Sequence, residues 1–505
     1  MRVLIFHGYL LAGTGSNVYN ACLSRALARL GHEVHLFCQE RHPERLPFVG
    51  AAGDWDDGEL CVRALAGPRA EGASLCTVYR PDIGGLLPVY VLDPYEGLEA
   101  KTFAECTEAE VAAYLDANVA AVSEVVERVC PDIALANHVM MSPTILTRAL
   151  GGRTPYAVKI HGSALEYTLK PNRERFLPYA REGLARARTV LVGSRHTAES
   201  LWATLGGACG ASIEQRTRLG PPGVDVEQFA PRATPDAESA RSALPRAVRA
   251  IWPAGETVAF VGKLIPGKGI DLPIVAWPLV LERRPRAKLL VVGFGSWRES
   301  LEELCRLLGR GELERIESVA RAHVLAFLRG LHGSERERYL DAAHGLAERI
   351  EFVGRLDHEE LAKVLPACEA LVVPSTFPES FGMVAAEAAA CGVLPVSAAH
   401  SGLVEVSEIL AAKLPRQAAA WLSFALDDNA VPAIAEHVSA WLEADPELKQ
   451  QTRAALVSVA RERWSWEGVA RGVLAAAGRE LDTVRRTDGW RVNEIGVERA
   501  HGTRA

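Results

Sequence analysis

Glu379 and Glu387, in the stretch PSTFPESFGMVAAEAAACG, are the residues whose type and spacing most clearly imply chemistry. Ser380, Phe381 and Gly382 make a turn before an alanine-rich segment. The backbone N–H groups of Gly382, Met383 and Val384 are therefore expected at a helix N-terminus, turned toward a phosphate group. Glu379 stands before the turn and Glu387 inside the helix, separated by up to about 12 Å of helical rise. Carboxylates so placed can bracket a bound diphosphate, one meeting a sugar and the other a ribose, because each accepts hydrogen bonds from neighbouring hydroxyls. Taken alone, the pair is explained equally well as a solvated helix start favoured by the macrodipole.

Positioning such groups takes strands and crossover helices, and the sequence supplies two sets in succession. Near its start the chain reads as strand (RVLIF), Gly-rich turn (AGTGS), helix and strand (EVHLF). An apolar stripe through Val18, Cys22, Ala26 and Leu30 marks the helix, and Gly31 ends it with a left-handed cap. Strands at IALANH, YAVKIHG and TVLVGS alternate with helical runs such as EVAAYLDANVAAVSEVVERV. This alternation predicts a doubly wound α/β domain over 1–232. Residues 233–248, rich in Pro, Ser, Ala and charge, read as a linker. VAFVGKL, AKLLVVGFG, RIEFVGRL and ALVVPST then predict a second doubly wound domain over 249–463. Within it a helical insertion at about 296–346 exceeds what a crossover needs. A helix at 464–480 and a tail at 481–505 complete the chain.

With these elements in order, the chain resembles the retaining GT-B glycosyltransferases, especially glycosyltransferase family 4, whose E-x7-E motif the Glu379–Glu387 segment matches. The resemblance also runs through AGTGSNVY at 12–19, KIHG at 159–162, PPGVDVEQF at 221–229, FVGKLIPGKG at 260–269 and WSWEGVARGVL at 464–474. It implies two Rossmann-like domains facing across a cleft, the N-terminal one on the acceptor side and the C-terminal one binding the nucleotide-sugar, with the last helix packing back onto the first domain. Lys263 and Lys268 match the positions that hold the donor pyrophosphate; cations there stabilise the charge that builds on the departing phosphate. Lys263 stands where Arg is frequent, so a point charge replaces a bidentate clamp. Glu379 is implied to contact the sugar hydroxyls and Glu387 the ribose, with the Ser380–Val384 turn at the phosphates. Gly354 and Arg355 fall where the nucleobase lies against backbone, Gly13, Thr14, Gly15 and Ser16 form the loop that closes on the diphosphate, and His161 takes the place beside the reacting sugar. The catalytic set is thus His161, Lys263, Lys268 and Glu379.

The implied reaction is hexosyl transfer, with retention, from a nucleotide-diphosphate sugar to an unidentified small-molecule, glycan or lipid-linked acceptor. It proceeds without metal or other cofactor, and UDP- and GDP-sugars come first as donors. No carboxylate nucleophile stands out, which suits a same-face route in which the donor phosphate deprotonates the acceptor. Two alternatives remain at this stage: an epimerase or phosphorylase-like enzyme of the same architecture, and a catalytically silent sugar-nucleotide scaffold.

Composition narrows the setting. A chain of 505 residues suits two cores, and a net charge of −7 speaks against nucleic acid as a partner. The ten cysteines form no CxxC pair and read as buried free thiols. Asp54, Asp56 and Asp57 superficially resemble a DxD metal motif, but they lie in a polar, Gly-rich stretch instead of at the end of an apolar strand. Arg173, Arg175, Arg181, Arg186 and Arg188 read as a solvated helix face before a membrane-binding one, so peripheral membrane contact is not favoured. Trp464 and Trp466 are expected to pack the last helix. No run of about twenty apolar residues is present, and the location expected is cytoplasmic.

Overall fold

The computed structural model describes residues 1–13, 15–67, 70, 72–92, 99–232, 256–318 and 321–478. Thr14, the expected linker at 233–248 and the tail at 481–505 lie outside the described residues. The chain divides into two compact units, Met1–Gly223 with Trp466–Ala505, and Val224–Ser465.

The first unit contains β1 (Arg2–Phe6), β2 (Glu33–Phe37), β3 (Ala51–Asp56), β4 (Glu59–Ala64), β5 (Cys76–Arg80), β6 (Leu86–Val89), β7 (Glu99–Thr102), β8 (Ile133–Asn137), β9 (Tyr156–Lys159), β10 (Thr189–Val192) and β11 (Thr217–Leu219). Nine of these form one sheet in the order β11-β10-β9-β8-β1-β2-β5-β3-β4, while β6 and β7 pair separately. Within the large sheet only the β3–β4 hairpin is antiparallel. The strand order reverses between β1 and β8, and such a point opens a crevice beyond the strands' carboxyl ends. β1, β2 and β8 are apolar on both faces and buried almost throughout, as a sheet covered by helices requires.

The second unit contains β12 (Thr257–Val261), β13 (Lys288–Val292), β14 (Ile350–Gly354), β15 (Ala370–Val373), β16 (Leu394–Ala398) and β17 (Ser423–Phe424). They form one sheet in the order β14-β13-β12-β15-β16-β17, with every pairing parallel. Its switch point lies between β12 and β15, the strands that lead into FVGKLIPGKG and PSTFPES. The expected insertion is the β13–β14 crossover, with helices Arg298–Gly309, Ala322–Gly330 and Gly333–Ala343. Leu301, Leu304, Cys305, Leu307 and Leu308 bury one face of the first of these, and Tyr339 of the third donates to the Val275 carbonyl at 2.8 Å.

Three expectations need correction. In helix Gly15–Arg29 the buried face runs through Asn17, Tyr19, Asn20, Leu23, Ser24 and Leu27, whereas Val18, Cys22 and Leu30 are half-buried. The helix turns its Asn face into a polar network and its Tyr19 face onto the last helix, Trp466–Ala477, so hydrophobicity alone misplaces the register. The cysteines are all free, but Cys61 and Cys130 are exposed. The solvated arginine face holds in that Arg173, Arg181 and Arg186 are exposed, but it is incomplete, because Arg173 also donates to the Thr204 carbonyl, Arg175 to Phe103, Ala104 and Cys106, and Arg181 to Leu205.

Trp466 packs the last helix as expected, whereas Trp464 ends the preceding helix, Pro446–Trp464, and packs within the second unit. Trp464 is fully buried against the edge of Phe381, with ring centroids 5.7 Å apart, and Trp466 meets Tyr19 at 5.5 Å. Of the described helices, none is long and apolar enough to cross a membrane.

Candidate functional site

In the second unit the loop after β12 folds Pro266–Lys268 into a single 3₁₀ turn ended by Gly269 at φ 69°. A Cβ on Gly269 would stand 2.0 Å from the Pro374 carbonyl oxygen, so the two switch-point loops touch backbone to backbone. Thr376 and Phe377 donate their N–H groups to the Gly267 carbonyl at 2.9 and 3.2 Å, completing the interlock. The loop after β13 approaches the same way, since a Cβ on Gly293 would fall 1.8 Å from the Gly262 carbonyl oxygen.

This interlock brings Lys268 to Glu379, whose carboxylate it hydrogen-bonds. Burial pushes the Glu379 carboxyl up, but the Lys268 charge and hydrogen bond, with Ser375 and His400, outweigh it and hold the group below its ordinary value. Behind Glu379 runs a closed relay. The Glu379 N–H donates to Ser401 Oγ at 2.9 Å, Ser401 Oγ meets His400 Nδ1 at 3.0 Å, His400 Nε2 donates to the Ser375 carbonyl at 2.6 Å, and Ser375 Oγ returns to Glu379 Oε1 at 2.7 Å. Both ring nitrogens of His400 are then used, which assigns the proton to Nε2.

Gly382, at φ 103°, precedes helix Met383–Ala390. The helix thus begins at Met383, and the N–H groups of its first turn have no partner inside it. Gly402 and Leu403 press on this turn, since a Cβ on Gly402 would lie 2.6 Å from Phe381 backbone and one on Gly382 would strike Leu403 at 2.5 Å. Phe381 itself is 5% exposed and faces Trp464, so only its backbone is available to a ligand. Glu387 lies buried along the helix, and burial pushes its carboxyl up to about 8, so it carries a proton at neutral pH. A protonated carboxyl both donates to and accepts from a hydroxyl pair. His358 Nε2 is its nearest charged-type neighbour, at 3.9 Å. Gly354 closes β14 at φ 91°, and the Arg355 guanidinium lies 5.5 Å over the ring of Phe294, which is 48% exposed. Lys263 is half-buried on the loop that also carries Lys268.

In the first unit Gly13 and Gly15 are exposed at the β1–helix turn, and Ser16 in the first helical turn accepts from Asn20 through its carbonyl at 2.8 Å. Beneath them lies a neutral polar network at the carboxyl ends of β1, β8 and β9. His7 Nε2 donates to Leu10 O and Asn17 Oδ1 at 3.0 and 2.9 Å, while its Nδ1 accepts from Asn20 at 3.1 Å. Asn137 donates to Phe6 O and Asn20 Oδ1 at 3.0 and 2.9 Å and accepts from His161 Nε2 at 2.7 Å. Burial pushes His7 down to about 4, against the upward pull of its hydrogen bonds. His161 is held well below the usual histidine range by burial first, then by His138, Lys159 and His7. Lys159, bonded to the Gly220 carbonyl, is pushed down to about 7 by burial. His138 stacks on His7, meets Tyr9 edge-on and lies tilted against Tyr90 and His161, and neither of its ring nitrogens meets a hydrogen-bond partner among the described residues.

The structure therefore gathers Lys268, Glu379 and the Ser380–Val384 turn at one switch point and places His161 at the other unit's strand ends. Sequence reasoning missed Ser375, His400 and Ser401, which hold Glu379, and His7, Asn17, Asn20 and Asn137, which hold His161. Signals existed in the polar pair Asn137–His138 closing an apolar strand and in His-Ser-Gly at 400–402 following VLPVSA. Asp54 makes a bidentate pair with Arg80 at 2.6 and 2.7 Å, so this carboxylate of the Asp-rich hairpin is taken up in an ion pair.

Residues 249–458 match the family described as Glycosyl transferases group 1, and residues 14–208 match the Glycosyl transferase 4-like domain. The chain is 33% identical over 268 residues to a D-inositol 3-phosphate glycosyltransferase of Segniliparus rotundus, covering 53% of this chain and 47% of that one. It thus spans about half the length of that relative. It is 30% identical over 340 residues to a GDP-mannose-dependent alpha-(1-6)-phosphatidylinositol monomannoside mannosyltransferase of Mycolicibacterium smegmatis, covering 66% of this chain and 71% of that one. The sucrose-phosphate synthase structure from Thermosynechococcus elongatus shares the fold, with a TM-score of 0.56 at 20% identity over 96% of this chain and 99% of that one. With two Rossmann-like units of the GT-B kind, both profile matches and a relative covered over most of its length, the chain belongs to the group 1 glycosyl transferases.

Proposed function

We propose that the chain transfers a hexosyl unit from a nucleoside-diphosphate sugar to a hydroxyl acceptor, with retention and without a metal ion. The observation that carries this reading is the Lys268–Glu379 pair at the second unit's switch point, beside the first turn of helix Met383–Ala390. Lys263, Lys268 and the N–H groups of Met383 and Val384 supply positive potential where a diphosphate leaves, the task otherwise given to a divalent cation. Glu379, kept ionised, accepts hydrogen bonds from sugar hydroxyls, while protonated Glu387 meets the ribose. As the bond from the anomeric carbon to the phosphate oxygen breaks, the acceptor oxygen bonds to that carbon on the same face and its proton passes to the departing diphosphate. Neutral His161, whose Nε2 proton is donated to Asn137, accepts a hydrogen bond from a sugar hydroxyl without adding charge.

The test is a thermal-shift screen with UDP, GDP and their sugars in EDTA, followed by product analysis. D-inositol 3-phosphate and phosphatidylinositol monomannoside enter first among the compounds tried as acceptors, because the relatives' names contain them. A shift with one nucleotide, lost in Lys268→Ala, and a product of unchanged anomeric configuration support the reading. Absence of any shift, or interconversion of the donor sugar with no acceptor consumed, overturns it.

A further inference from the structure

The β13–β14 insertion has no part in the proposed chemistry, yet one of its residues reaches the donor loops. Arg321, immediately before helix Ala322–Gly330, donates through Nε to Asp271 Oδ2 at 2.7 Å and through Nη2 to Asp271 Oδ1. Asp271 is fully buried and opens the helix that follows PGKG. The third arm of the guanidinium, Nη1, donates to Thr376 Oγ1 at 2.8 Å. Thr376 lies on the loop that leads into Glu379, and its own hydroxyl donates onward to the Pro266 carbonyl at 3.4 Å. The guanidinium also lies 5.5 Å over the ring of Trp297, a residue whose backbone N–H donates to the Leu264 carbonyl at 3.1 Å. One planar cation therefore touches the start of the helix after Lys268, the loop before Glu379 and the segment following Phe294.

We propose that Arg321 is a positioning residue for the donor diphosphate: it fixes the distance between the loops bearing Lys268 and Glu379, so that the insertion serves the site. The inference rests on the donor-binding reading above. A lysine could keep the charge opposite Asp271 but could not span both partners, because the fork of five donors is what reaches two loops at once.

Arg321→Ala would strand the Asp271 carboxylate in the core and unfold the unit for reasons unrelated to donor binding. The informative variants are Thr376→Val, which removes one hydroxyl of nearly equal volume and leaves the buried pair, and Arg321→Lys. Calorimetry with the full chain compares UDP with UMP, and GDP with GMP. In both variants the preference for diphosphate over monophosphate is expected to fall roughly fivefold, the loss of about one hydrogen bond's worth of ordering. The monophosphate affinity stays put and Tm moves by no more than ~2 °C. The double variant is expected to be no weaker than the worse single one, since both changes cut the same link. An unchanged preference in both single variants, or equal losses for mono- and diphosphate, overturns the proposal while leaving the function standing. A wild-type chain that binds none of the four nucleotides overturns both.

Discussion

The two units handle buried polarity in opposite ways. At the second unit's switch point, charge is kept and paired: Lys268 meets Glu379, Arg321 meets Asp271, and a serine–histidine relay orients the carboxylate. At the first unit's strand ends, charge is removed. His7, His138 and His161 are all driven neutral by burial and fastened by asparagines or aromatic rings. On the function proposed above, the second unit's paired cations would meet an anionic leaving group at no reorganisation cost, and the first unit's neutral dipoles would orient hydroxyls without adding charge.

The contrast can be broken most forcefully at the charged pair. Lys268→Ala and Glu379→Ala are each expected to lower turnover by roughly a hundred- to a thousandfold, the usual loss when one group facing a developing charge is removed. Denaturant midpoints should hardly move, because both side chains are partly exposed. Turnover near wild type in either variant would sink the site assignment. On the neutral side, Asn137→Leu leaves the Phe6 carbonyl, Asn20 and His161 without their shared partner. Unfolding free energy is expected to drop by about 2–4 kcal/mol, with nucleotide affinity of the second unit unchanged; a loss of affinity larger than the loss of stability would contradict the division of roles.

Acidity sharpens the comparison because the signs oppose. His7 falls from 6.5 to about 4 in the folded chain, so its contribution is present above pH 6.5 and lost as pH drops through 4, on the order of 3 kcal/mol in the limit. Glu387 rises from 4.5 to about 8, so the folded state holds an extra proton between those values and its contribution declines as pH climbs through 8. Protection from hydrogen exchange at β1 and β8 should weaken toward acid, and at helix Met383–Ala390 toward alkali, with Glu387→Gln flattening only the alkaline limb. A single shared pH profile for both regions would refute this. The smallest effect is expected at the Asp-rich hairpin: Asp56→Asn, at an exposed position, should change stability by less than about 0.5 kcal/mol and leave activity in EDTA untouched. Metal-dependent activity abolished by this change would reinstate the hairpin as a metal site.

Legibility in the sequence followed contact distance along the chain. Strands β1, β2, β8 to β10 and β12 to β15 were readable because apolar runs and glycine turns are local signals. The Glu379 turn was readable for the same reason, since its carboxylate, its glycine and its helix all lie between positions 379 and 390. The His161 support was not, because Asn137 reaches Asn20 across 117 positions and Phe6 across 131. The stripe in helix Gly15–Arg29 was misplaced for a related reason. Asn17, Asn20 and Ser24 count as solvent-facing by type, yet all three are buried, Asn17 on His7 and Asn20 on His7 and Asn137. The Arg321 link, 50 positions from Asp271, left no trace in any motif.

The return of helix Trp466–Ala477 to the first unit has a consequence for biosynthesis. Tyr19 and the apolar side of helix Gly15–Arg29 are sealed by Trp466, Ala470, Val473, Ala476 and Ala477. A ribosome that has just delivered Gly223 has supplied all of that unit except its cover. At the usual pace of translation, the 254 residues between Gly223 and Ala477 take roughly 13 to 50 s. During that interval the nascent first unit presents an uncovered apolar groove, a natural station for a holdase chaperone, and a stop codon anywhere before Trp466 would leave the groove open for good.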